Sequence, residues 1–191
     1  LCAVIIFNTE NRSFDTLFID SVTVINFVFS HNEKMLALLI MPDTNNPESL
    51  SLRLYTDIEK EIFEDIKNPD EEMIFSRHKK VTFAENNKLL FLQRSYPEKK
   101  TYNDTLPEDE KYQVDIWSWT DPFLQSQQKN RLKDEKKRSF ASVYHINERK
   151  LVPIENATFR KSVYDTKTVE RYALIYDELT YAKELSWEGN L

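Results

Sequence analysis

The chain has 191 residues and a net charge of −6, from 32 acidic against 26 basic side chains, with one glycine, seven prolines and one cysteine. Average usage would supply about 13 glycines at this length, and Gly189 alone can build neither a phosphate-cradling loop nor the Gly-flanked turn that exposes a nucleophilic serine. Cys2 by itself allows no internal disulfide and no cysteine-rich metal site. An acidic balance with both signs interspersed argues against nucleic acid as a partner, because duplex binding must neutralise phosphates. The longest apolar runs, such as Leu36–Met41, are too short for a membrane-spanning helix, and no basic region precedes Leu1–Phe7 to make it a secretory signal. A soluble segment is expected, with no membrane, cofactor or metal. Opening on Leu1, it reads as excised from a longer protein, any export signal lying upstream.

Val, Ile, Tyr and Phe recur in short runs separated by Asn, Asp, Glu and Lys, the spacing of many strands joined by polar turns. In chain order the runs predict strands at Cys2–Phe7, Thr16–Asp20, Val22–Phe29, Lys34–Met41, Ser49–Thr56 and Glu61–Asp65. They continue at Val81–Ala84, Lys88–Ser95, Gln113–Trp119, Phe140–Ile146, Leu151–Ile154, Arg171–Tyr176 and Ala182–Ser186. The class is mainly β.

Two units repeat. Phe29-Ser30-His31-Asn32-Glu33-Lys34-Met35-Leu36 aligns with Phe83-Ala84-Glu85-Asn86-Asn87-Lys88-Leu89-Leu90, an aromatic strand end followed by a polar turn and a Lys that opens an apolar strand. The Asn of each turn is expected to take the left-handed conformation that glycine would otherwise supply. Leu54–Phe63 aligns with Val143–Val152, and Ile6–Asn11 is a looser copy. Taken in order, the units describe a four-stranded meander copied along the chain, which is the blade of a β-propeller. One blade spans 22–65 and a second 80–154; 1–20 is the end of a preceding blade and 158–191 the start of a following one. The whole chain is one propeller segment of about three blades. Open sheet edges in such a series call for closure or for a partner, self-association included.

The second blade carries an insertion. After Val114-Asp115-Ile116-Trp117-Ser118-Trp119 comes Thr120-Asp121-Pro122, where Asp121 suits a helix cap and Pro122 the first helical position. The following stretch, free of Gly and β-branched residues, predicts a helix within 121–138, anchored by Phe123, Leu124 and Leu132. Trp117 and Trp119, two apart on one strand, are expected to share a face and pack against that helix; exposed stacking against a sugar or a peptide aromatic is the alternative, as it is for Trp187. Glu98–Lys111 reads as a long polar loop.

At Asp115-Ile116-Trp117-Ser118-Trp119-Thr120-Asp121-Pro122, with Gln125, Gln127 and Gln128 following, the sequence resembles the N-terminal β-propeller region of bacterial peptidases of the prolyl oligopeptidase family. The two aromatic-Asn-Lys turns and Glu184–Gly189 agree with it. The resemblance implies a propeller over an α/β-hydrolase domain that this chain lacks, a steric role in admitting only short or unstructured peptides to the serine nucleophile, and export or a periplasmic location in a bacterium. In dipeptidyl-peptidase relatives a pair of propeller glutamates holds the substrate's free amino terminus. Glu71 and Glu72, after Asp70, are weak counterparts, since the aromatic residues expected ahead of them are missing, and an acidic surface loop is the plainer reading.

His31, His78 and His145 lie far apart with no metal-ligand spacing, and no Ser sits in a recognisable triad motif. The expected function is therefore a non-catalytic propeller portion of a peptidase-like protein, with no catalytic residue in this segment and the activity of the parent left open. The alternative is a stand-alone propeller-like module that binds a protein or glycan through exposed aromatics.

Overall fold

The computed structural model describes residues 2–188, except 47, 99–104, 113, 115, 168–171 and 178. The described residues form four antiparallel β layers stacked face to face in chain order. A hairpin of β1 (Cys2–Phe7) and β2 (Phe14–Asp20) comes first. It is followed by a four-stranded meander of β3 (Thr23–Phe29), β4 (Leu36–Met41), β5 (Ser51–Asp57) and β6 (Ile62–Ile66). The third layer holds β7 (Ile74–Phe75) and β8 (Thr82–Phe83), both paired with β9 (Leu89–Ser95), then β10 (Phe140–His145) and β11 (Lys150–Pro153). A hairpin of β12 (Lys161–Val163) and β13 (Leu174–Tyr176) closes the stack.

The central strands are apolar without alternation because both of their faces are covered. Along β4, Leu36, Leu38 and Ile40 meet Val4, Ile6, Leu17 and Phe18 of the first hairpin. Ala37 and Leu39 point the other way, into the main core shared with Phe83, Leu90 and Leu92. Along β9, Leu90 and Leu92 face back to that core while Leu89 and Phe91 meet Val152, Ile154 and Tyr164. Residues 54 apart thus face the same way in successive sheets. Tyr55 and Tyr144, which pair with Leu36 and Leu90 respectively, also both face back.

The repeated turns are alike at atomic detail. Ser30 and Ala84 each donate N–H to the carbonyls of Met35 and Leu89, at 2.9 Å in both turns, and Glu33 and Asn87 donate to Ser30 and Ala84, again at 2.9 Å. In the second turn the left-handed residue is an asparagine as expected, Asn87 (φ 57°), whereas in the first it is Glu33 (φ 58°) and not Asn32. Asn32 and Asn86 instead accept the N–H of Lys34 and Lys88 through their side-chain carbonyls, an Asx turn that leaves the next residue to reverse the chain. Left-handed backbone costs a non-glycine residue roughly 1–2 kcal/mol, so Glu33→Gly is expected to raise stability by about 0.5–1 kcal/mol, read as a higher urea midpoint. A lower midpoint would show that the Glu33 side chain contributes more than the strain it carries.

Several local expectations are corrected. Among the described residues of 113–119 there is no strand: β9 already takes β10 on one edge and β7 and β8 on the other, so no ladder position remains for them. The insertion helix α1 spans Gln125–Lys136, shorter than 121–138. Its cap position is Leu124, with no side-chain cap, so neither Asp121 nor Pro122 holds the role expected of it. No residue of α1 is buried, and Leu132 is exposed. Ala182–Glu188 forms helix α2 where a strand is expected, in keeping with the helix formers Ala182, Lys183, Glu184 and Leu185.

Candidate functional site

The insertion and α2 meet at the surface and bring the tryptophans together. Trp117 stacks on Trp187 with ring centroids 6.0 Å apart and planes 26° from parallel. Lys183 places its ammonium 4.8 Å from the Trp119 ring centre, and the Ser186 hydroxyl donates to the Pro122 carbonyl at 2.7 Å. Trp119 is 71% exposed, Ile116 is also largely open to solvent, and Trp117 and Trp187 are each a little under half exposed. Core packing of Trp117 and Trp119 on one strand face is thereby overturned, because the segment that carries them is not part of a sheet. A pair of stacked indoles beside a third ring with a cation over it can take up an aromatic side chain or an apolar ligand face.

Asp121 organises the turn beneath this platform. One of its carboxylate oxygens accepts the Ser118 N–H at 3.1 Å and the Gln128 side-chain amide at 3.1 Å, and the same amide donates to the Phe123 carbonyl at 2.8 Å. Arg131 lies over the Phe123 ring, 4.2 Å from its centre. Gln125, at the start of α1, is exposed. Asp115 lies outside the described residues.

Glu71 and Glu72 are exposed in the loop after β6, where Asp70 accepts the Glu72 N–H at 3.0 Å. Among the described residues no hydrogen bond, ion pair or ring contact joins them to the tryptophans or to a histidine. His31 lies in the turn between β3 and β4, His145 at the end of β10 and His78 in the loop before β8. Burial, then the Arg77 and Lys137 cations, holds His78 below the ordinary imidazole range.

Sequence reading missed the polar side chains held between the layers. Arg94 on β9 occupies the position equivalent to Ile40 on β4 and is 3% exposed. Its Nε donates to the Ser142 hydroxyl at 2.8 Å and its Nη1 to the Asn68 side-chain carbonyl at 3.1 Å, both neutral acceptors. Burial lowers its pKa against the opposing pull of Asp70. Asn68 also lines an open groove of about 410 Å³ with Leu50, Asp65, Met73 and Phe75. A buried cation without a carboxylate partner is weak support for a fold, and an apolar isostere is often as good. Arg94→Met is expected to leave the denaturation midpoint nearly unchanged, whereas Arg94→Ala lowers it through the cavity it opens. A large loss in both would show that the guanidinium bonds themselves hold the loop. Two further pairs tie the layers: the Tyr144 hydroxyl donates to Glu64 at 2.8 Å, and buried Glu155 accepts the Ala141 N–H and the Ser162 hydroxyl, each at 2.7 Å. A charged residue within an apolar strand run, as in Leu89–Ser95, was the signal available for Arg94.

No protein-family profile matches this sequence, and no curated protein matches it. Among solved structures the chain is similar to one described as the crystal structure of the tricorn protease, with a TM-score of 0.35 and 8% identity over 86% of this chain. The match takes in 21% of that protein, so the chain spans about a fifth of its length. A likeness this weak carries no argument about activity. The described residues hold no helix long and apolar enough to cross a membrane. What stands on its own geometry is a mainly β stack with a surface cluster of three tryptophans on its insertion and second helix.

Proposed function

We propose that this chain is a stretch of β-propeller that gates the access of peptides to a serine hydrolase domain carried outside it. The observation that supports this reading is the repetition of facing: Leu36, Leu38 and Tyr55 in one meander and Leu90, Leu92 and Tyr144 in the next all point back toward the preceding layer. Sheets related in this way are how propellers set four-stranded blades around an axis. The Asp115–Pro122 motif and its likeness to prolyl oligopeptidase-family propellers supply the hydrolase partner and the exported, bacterial setting. Within this reading the Trp117, Trp119 and Trp187 cluster is a contact surface for extended peptides, which can lay an apolar side chain on the rings where a folded protein cannot.

The test offers the purified chain a panel of fluorogenic peptides and esters and, separately, follows tryptophan emission while short unstructured peptides or a folded protein are added. The expected result is no turnover, with emission changed by the peptides only and the change lost in Trp119→Ala. Turnover abolished by a serine-directed reagent would overturn the non-catalytic role, and an equal response to folded protein would overturn gating.

A further inference from the structure

The edge of the third layer is interrupted by a block of positive charge. β7 and β8 pair with the same edge of β9, Phe75 opposite Arg94 and Thr82 opposite Phe91. Regular pairing advances one residue on each strand, yet three steps along β9 here correspond to seven along the β7–β8 segment, so four residues are squeezed out of the ladder. Burial settles which four. Ser76, whose N–H donates to the Gln93 carbonyl at 2.8 Å, and Val81 are both buried, whereas Arg77, His78, Lys79 and Lys80 are all exposed. The equivalent strand of the second layer, β3, pairs along its length with β4 and has a single irregularity after Val24. The extruded loop is thus a departure from the repeat, and a bulge at a sheet edge re-aims the side chains it carries.

The charge is concentrated and unanswered. Among the described residues no carboxylate lies within ion-pair distance of Arg77, Lys79, Lys80 or Lys137, although the chain carries six more acidic than basic side chains. Lys137, just beyond α1, comes near enough to act on His78 alongside Arg77, with Glu98 opposing them. Glu98 follows β9 and Lys137 precedes β10, so the bulge leans toward the end of the sheet from which the insertion projects. The tryptophan platform is carried on that same insertion. Guarding a sheet edge takes a single lysine, and cations crowded into one loop repel one another, a cost that edge protection does not require.

Resting on the reading of this chain as a contact surface for extended peptides, we propose that the Arg77–Lys80 bulge, with Lys137, recognises acidic segments of those peptides through several side-chain carboxylates at once. An exposed ion pair contributes little by itself, so an anion is held here only where several pairs form together. One terminal carboxylate is met by a single guanidinium, whereas cations spread over a loop and a helix end match carboxylates spaced along an extended chain. A long polyanion such as duplex DNA meets the net charge of −6 beyond the patch, which a short peptide does not reach. In the propeller reading the first strand of a meander borders the central channel, and β7–β8 is that strand, so the bulge stands where a peptide passes.

Fluorescence anisotropy with the full chain tests this, using labelled, end-capped peptides rich in Asp and Glu, their Asn and Gln counterparts, and duplex DNA. The acidic peptide is expected to bind at least about tenfold more tightly than the neutral one at low salt, a preference that fades as salt is raised. Lys79→Ser combined with Lys80→Ser, and separately Lys137→Ser, are expected to reduce the preference with an unchanged far-ultraviolet circular dichroism spectrum, since all three side chains are exposed. Equal binding of the two peptides, an acidic preference indifferent to these serines, or duplex DNA held as tightly as the acidic peptide would overturn the proposal. If the preference is absent while peptides still change tryptophan emission through Trp119, the contact-surface reading survives and the basic surface falls. If emission ignores every peptide while the preference and its loss in the serine variants hold, the basic surface stands and the tryptophan contact falls.

Discussion

Leu90→Ala is expected to lower the unfolding free energy by about 3 kcal/mol, with the loss read from urea denaturation followed by circular dichroism. Leu90 is fully buried between the four-stranded and the five-stranded sheet, where it packs in the cluster that also holds Leu39, Leu54, Phe83 and Leu92. Truncation removes the transfer contribution of the lost methyl groups. It also leaves a cavity that two hydrogen-bonded sheets cannot collapse to fill. The contrasting substitution is Leu132→Ala on α1, where the side chain is exposed and its helix has no buried residue. That change is expected to stay within about 0.5 kcal/mol. Equal losses at the two positions would mean that the sheets do not share one core.

The second large effect is expected at the bridge between β10 and β6. Tyr144, buried on the core side of β10, donates its hydroxyl to Glu64, whose other carboxylate oxygen lies 3.2 Å from Arg149 Nε. Hydrogen bonds to charged groups contribute about 1.5–3 kcal/mol, and Glu64→Leu strands the phenol without its acceptor. A loss of about 2 kcal/mol is expected, with Tyr144→Phe costing less because the Glu64 carboxylate it leaves behind still pairs with Arg149 and reaches solvent. The pH dependence follows from the same geometry. Desolvation first, then the bond to Glu64, raises the Tyr144 pKa above the ordinary phenol value. The folded state therefore holds this proton more tightly than the unfolded chain does, and its contribution is complete below about pH 10 and lost as pH rises beyond it. Urea midpoints measured from neutral into the alkaline range should fall steeply in the wild type and less so in Tyr144→Phe. Identical slopes would show that Tyr144 is not the group responsible, leaving Tyr55 and Tyr164, whose pKa values burial also raises.

Where local chemistry and long-range pairing agree, the strands are legible without coordinates. Leu36–Met41 and Leu89–Ser95 are apolar runs opened by an Asn-x-Lys turn, and both form central strands. The candidate site was less accessible. Val114, Ile116 and the two tryptophans imitate a strand, but a strand needs an edge to pair with, and both edges of β9 are occupied, one by β10 and the other by β7 and β8. The meeting of Trp117 with Trp187 depends on α2 lying against the insertion, which no local spacing encodes. Arg94 is conspicuous only once its strand is known to be covered on both faces.

By itself the sequence determined the mainly β class, the polar turns that reverse the chain, and the exclusion of glycine-dependent chemistry, because composition and short-range backbone preference act on residues that are already neighbours. Tertiary structure decided which edges pair, which aromatics are buried, and that three tryptophans gather at the surface. Those outcomes depend on contacts between residues tens of positions apart, where the free energy of burying one face against another outweighs the preference of any single segment.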